Sequence, residues 1–107
     1  QRASRAREQV RREELADAQH ESAAAVRIAY GSVQVAREAL PGLQHAVDAA
    51  RANYAQADAR FRSGLGTSVE LADAEALRTD AEIQLALGQF QLARARAILG
   101  RAIAEDS

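Results

Sequence analysis

Apolar residues recur in alternating steps of three and four through the first part of the chain: Val26, Ala29, Val33, Ala36, Leu40, Leu43, Val47, Ala50, Tyr54, Ala57 and Phe61. That heptad lays one stripe along a helix and turns it towards a neighbouring helix. The spacing predicts a first helix over about 3–62, which at 1.5 Å per residue would be about 90 Å long. The phase does not slip across "LPGL", residues 40–43. Proline lacks an N–H and disfavours helical geometry in the residue before it. An unbroken phase therefore predicts a kinked but continuing rod at Leu40-Pro41. The alternative is a true corner, with Pro41 opening a new helix and the chain folding back into three helices.

A second helix is predicted over about 68–103, and its pattern differs. One apolar column is Val69, Ala76, Ile83, Phe90 and Ala97, beside the small residues Ala72, Thr79, Ala86, Ala93 and Gly100. Another is Leu71, Arg78, Leu85, Leu92 and Leu99, beside Ala74, Ala81, Gly88, Ala95 and Ala102. At about 100° per residue the two pairs of columns lie on nearly opposite faces. Between them run polar strips: Asp73, Asp80, Arg94 and Arg101 on one side, Glu75, Glu82, Gln89 and Arg96 on the other. A helix with two opposed seams has a neighbour on each side and solvent in front and behind. The wall of a hollow helical cylinder requires that pattern, and the small residues permit close approach. An ordinary bundle helix that tolerates Ala on its surface is the plainer reading.

The two helices meet at "FRSGLGTSVELADAE", residues 61–75. Ser63-Gly64 ends the first helix, with Gly64 suited to the left-handed conformation of a C-terminal cap. Thr67 caps the next helix and Glu70 completes a T-x-x-E capping box. Glu70 and Asp73 also favour the positive end of the helix dipole. Capping is thus a sufficient structural reason for Glu70, and less so for Asp73 a turn further on. The fold class is all-α: a long, coiled-coil-like antiparallel helical hairpin with its turn at 63–67.

Composition supports long helices over a globule. Of 107 residues, 27 are Ala, one is Pro and aromatics are only 4%. Such a chain lacks the large side chains a compact core of this size buries. The opening "QRASRAREQVRREELADA" is already helical text, as in a piece cut from a longer chain. The net charge of −1 gives no overall attraction to nucleic acid or to an anionic membrane. All 14 basic residues are Arg. There is no cysteine for a disulfide or thiolate site, and no apolar run reaches the roughly 18 residues of a spanning helix.

Candidate chemistry is sparse. His20 and His45 would stand roughly 37 Å apart along one helix and could not share a metal. Acids and histidines lie on rods without pocket-forming loops, so no catalytic residue, cofactor or metal is expected. "GLG" lacks the lysine and preceding strand of a phosphate loop. "RASRAREQVRR" holds five Arg against one Glu, but acids follow at once and no aromatic is interleaved, as a nucleic-acid face would need.

"FRSGLGTSVELADAE" resembles the second periplasmic hairpin of outer membrane efflux proteins of the TolC type, whose text there is Y-x-x-G-x-x-S/T-x-x-D/E-x-L-x-A-Q. Gly64, Thr67, Glu70, Asp73 and Ala74 fit; Phe61 replaces Tyr, Ala72 replaces Leu and Glu75 replaces Gln. "VRIAY" with Tyr30 is similar to text near the top of the family's descending helix. Ala81, Leu85, Phe90 and the closing "AILG" are similar to the ascending one. "EALPGLQHA" also resembles the branch that serves heavy-metal efflux.

The resemblance implies a homotrimer. Each subunit gives strands to an outer membrane barrel, absent from this piece, and helices to a periplasmic tube, a trimeric α-helical barrel. The 107 residues would be the helical half of the second of two repeats. Ser63, Gly64, Leu65, Gly66 and Thr67, with Leu65 at the apex, would dock a periplasmic adaptor and, through it, an inner-membrane pump. Phe61, Glu70 and Asp73 would narrow the closed entrance. Some members carry a basic residue that helps latch the entrance where this chain has Gly66, so such a latch is not expected here. Two rival readings remain at this stage. One is an adaptor hairpin, whose R-x-x-x-L-x-x-x-x-x-x-S string Arg11, Leu15 and Ser22 match, though within text that has no turn residue. The other is a generic coiled coil, whose helices should be single-seamed.

Overall fold

The computed structural model describes residues 1–107 and is all-α. It comprises α1 (Arg2–Arg62) and α2 (Ser68–Asp106), joined by a short turn. Helix formers dominate both, and pairs one turn apart support α1. Glu8 and Arg12 are ion-paired at 3.0 Å, Asp58 and Arg62 at 3.1 Å, and Gln44 donates to Asp48 at 3.1 Å. Each such pair adds only about 0.2–0.5 kcal/mol.

α1 runs unbroken through Pro41, so the corner and the three-helix fold-back are both excluded. An interior proline costs a helix about 3 kcal/mol. Here Pro41 is exposed while Leu40 and Leu43 on either side are half-buried. Packing of that apolar face outweighs the missing backbone bond. α2 continues to Asp106, beyond the end expected near 103, because nothing in "AIAED" stops a helix.

The chain divides into two units. One is Val35–Ala93, and it contains the turn. Ala36, Leu40, Leu43, Val47, Ala50, Tyr54 and Ala57 of α1 are buried or half-buried there. So are Leu71, Ala74, Arg78, Ala81, Leu85, Gly88 and Leu92 of α2. Val47 is completely shielded from solvent. At Gly88 the side chains of α1 pack directly against the α2 backbone. A Cβ built there would overlap the Leu43 side chain and lie 3.4 Å from Leu40 Cδ2, so the missing side chain makes the socket that receives both leucines. Arg51 Nε meets Glu82 Oε1 at 3.1 Å across the seam. Both side chains remain about half open to water, which holds the pair to about 1 kcal/mol or less.

The other unit joins Gln1–Gln34 to Arg94–Ser107. Ala29, Val33 and Ala95 are its buried residues, with Val26, Leu99 and Ala102 half-buried. Residues 1–21 are exposed throughout. Arg11, Leu15 and Ser22 lie inside α1 and form no turn, unlike the tip of an adaptor hairpin.

Which side of α2 faces α1 is now plain. The columns headed by Leu71 and Ala74 are buried or half-buried along their whole length. The opposed columns, from Val69 and Ala72, are exposed at every position. Val69 is 67% exposed, Ile83 51% and Phe90 65%, so α2 has one filled seam and one apolar face without a partner.

Candidate functional site

The turn is built by its backbone. The Leu65 N–H donates to the Arg60 carbonyl at 2.9 Å and the Gly64 N–H to the Phe61 carbonyl at 3.1 Å. With Gly64 at a φ of 79°, this is the paired 6→1 and 5→2 bonding of a Schellman cap. An L side chain at 64 would strain it, because the left-handed region costs such residues roughly 1–2 kcal/mol. The Gly66 N–H also reaches the Arg60 carbonyl, at 2.9 Å. A Cβ at 66 would lie 3.0 Å from Arg60 Cβ and 3.2 Å from the Phe61 nitrogen. The chain passes too close to itself there to carry a side chain without shifting. Leu65 is left at the apex, 73% exposed.

Thr67 starts α2. Its Oγ1 accepts the Glu70 N–H at 3.1 Å, one half of a capping box. Thr67 receives no bond back from the Glu70 carboxylate, whose Oε2 lies instead beside Gly66. Glu70 is thus only partly used by the cap. Neither Glu70 nor Asp73 takes part in an ion pair. Both line an open groove of about 330 Å³ with Asn53, Gln56, Ala57, Arg60, Ala74 and Leu77. Arg60 is held across the turn, its Nη2 donating to the Leu65 carbonyl at 3.3 Å. Phe61 is 44% exposed and is not among the groove residues. The structure therefore brings together two of the three residues expected at a constriction, beside a tip of exposed small residues and one leucine.

Four residues of this groove, Asn53, Gln56, Arg60 and Leu77, have no role in the sequence pattern. Asn53, Gln56 and Arg60 look like solvated positions until the register of the two helices is known. Arg78 is the other surprise. It stands in the apolar column between Leu71 and Leu85, its guanidinium 4.2 Å from the centre of the Tyr54 ring. The cation over the ring face offsets part of its desolvation. Its Nε is buried with no hydrogen-bond partner, and its nearest carboxylate, Glu75, is 3.9 Å away. Counting outward from the turn would have paired Tyr54 with Arg78.

Comparison with known families bears on all of this. The family model described as outer membrane efflux protein matches residues 1–105. No curated protein and no solved structure matches the chain. The match stands at the level of the family and not of a branch within it. No helix is long and apolar enough to cross a membrane.

Proposed function

Since the chain belongs to the outer membrane efflux protein family, we propose that it builds the wall of a periplasmic export tunnel and docks an adaptor through its turn. The family is one of transport, not of enzymes. Its channels sit in the outer membrane, are trimeric and work with adaptor proteins. In this reading the 107 residues are the periplasmic hairpin of the second repeat, and the barrel strands lie elsewhere in the natural chain. Each α2 packs its Leu71 side against its own α1 and its Val69 side against a neighbouring hairpin. The observation that carries the reading is the exposed apolar face of α2. A two-helix coiled coil has no use for it, whereas a ring of hairpins covers it. An adaptor hairpin is disfavoured by the family and by the turnless setting of Arg11, Leu15 and Ser22.

Residues 63–67 suit a docking tip. The backbone bonds above fix the turn without bulky side chains, so a slim end reaches between partner helices, and Leu65 projects to meet them. The test uses the absence of cysteine from these 107 residues. Leu65→Cys in the full-length protein, paired with a series of cysteines along a candidate adaptor hairpin, should crosslink in cells with a sharp maximum at one position. Absence of crosslinking at every position, with both proteins folded and present, would remove the docking role.

Glu70 and Asp73 suit the narrow end of the tunnel. Their carboxylates face an open groove and are not neutralised by an ion pair, so three copies would form rings that attract cations. Glu70→Gln with Asp73→Asn should therefore weaken block of the channel by divalent cations, read as conductance in planar bilayers, by about tenfold or more, the equivalent of about 1.4 kcal/mol. Unchanged block would take the constriction away from these residues.

A further inference from the structure

We infer that the hairpin carries a built-in hinge at the level of Pro41, Gly42 and Gly88, about which the arm from Gln44 round the turn to Leu87 bends as one body. The inference concerns this chain's backbone and stands apart from what the hairpin builds.

Both helices are weakened at one level. In α1, Pro41 has no N–H to give the Arg37 carbonyl, and its ring crowds that carbonyl. Gly42 follows at once. It is exposed, and a Cβ there would meet nothing within 4 Å, so neither packing nor a turn asks for glycine. Its effect is to free the backbone beside a missing bond. In α2 the facing residue is Gly88, against which Leu40 and Leu43 rest. Sharp bends in helices arise at prolines and glycines, and here they lie across the seam from one another.

The placing of the cross-helix ties fits a hinge. The Arg51–Glu82 ion pair and the Arg78–Tyr54 stack both lie on the turn side of this level. Val47, completely buried, lies on that side too. The arm is thus stitched together, while at the hinge level no ion pair or cation stack crosses the seam and leucine side chains rest on a glycine. Leu40 and Leu43 project inward as Pro41 and Gly42 face solvent. The pivot is therefore an apolar ball in a socket, and the flexible backbone lies outside it. Hinges of this kind concentrate a change of backbone angle in a few residues.

Paired spin labels test it. Cysteines replacing Val35 and Ala52 span the hinge along α1, and cysteines replacing His45 and Arg62 span an equal length without crossing it. All four positions are exposed, and each pair would sit about 25 Å apart in a straight helix. The distance distribution across the hinge should be about twice as wide as the control, since proline and glycine localise bending. Pro41→Ala with Gly42→Ala should narrow it to the control width and leave the control pair unchanged. Equal widths in the wild-type chain would overturn the hinge, and so would a broad distribution that survives the double substitution.

Discussion

Val47→Asp should abolish the cooperative unfolding of the hairpin, whereas Val35→Asp, on the same helix, should leave it almost unchanged. Val47 has no contact with solvent, and Val35 is 70% exposed. An aspartate at 47 would lie in the seam between the Leu43–Gly88 contact and the Arg51–Glu82 pair. Arg51, one turn on, already pairs with Glu82. An uncompensated buried charge costs about 3–5 kcal/mol. A seam this rich in alanine buries little apolar area per residue, so a cost of that size weighs heavily against it. At 35 the aspartate remains hydrated, and a surface change of that kind stays within about 0.5 kcal/mol. The readout is the sharpness of the thermal transition by circular dichroism, not the amount of helix, since Ala-rich helix persists in part without its partner. A Val47→Asp hairpin that melts like the wild type would show that the seam does not hold the helices together.

The course of α1 was legible because its residues agree with one another. The same heptad phase that buries Ala29, Val33 and Val47 runs through Leu40 and Leu43, so Pro41 bends no sequence signal and stops no helix. Only Phe61, last in the stripe, departs, because the chain turns before α2 can cover it. The two faces of α2 were equally legible, but not which of them meets α1. Periodicity weighs both alike, and the face carrying Arg78 looks the worse choice for burial. Complementary shape decides it. Gly88 leaves room for Leu43 and Leu40, and Tyr54 gives the Arg78 guanidinium a ring to lie on.

At the turn the local chemistry was readable and the spatial chemistry was not. Gly64 and Thr67 act within a few residues of themselves, so turn rules suffice for the cap. The groove needs the register of two helices, which sets Asn53, Gln56 and Arg60 beside Glu70 and Asp73. No spacing within either helix contains that information. The reciprocal bond expected from Glu70 is not made, and its carboxylate is left beside Gly66. A glycine at 66 is what leaves the acid room there.

Ile83→Asp with Phe90→Asp should separate the two seams of α2 by experiment. In the isolated chain both residues are more than half exposed, so its thermal transition should move by less than a few degrees, as for other surface substitutions. In the assembled channel the same residues would be covered by a neighbouring hairpin. Each aspartate would then lose water, and at position 83 the residues one turn away on the same helix, Thr79, Asp80, Ala86 and Leu87, include no cation to offset it. Two such charges should reduce the trimer fraction by about a hundredfold or more, at roughly 1.4 kcal/mol per factor of ten. Native mass spectrometry of detergent-extracted protein reads the change, with Arg96→Ala on the polar strip as the control that stays trimeric. The contrast is what gives the experiment its force. A variant that loses the trimer and keeps the hairpin can have been damaged only on the outer face. If the trimer survives both aspartates, the exposed columns are not an interface between subunits, and a hairpin that covers them belongs to the first repeat of the same subunit.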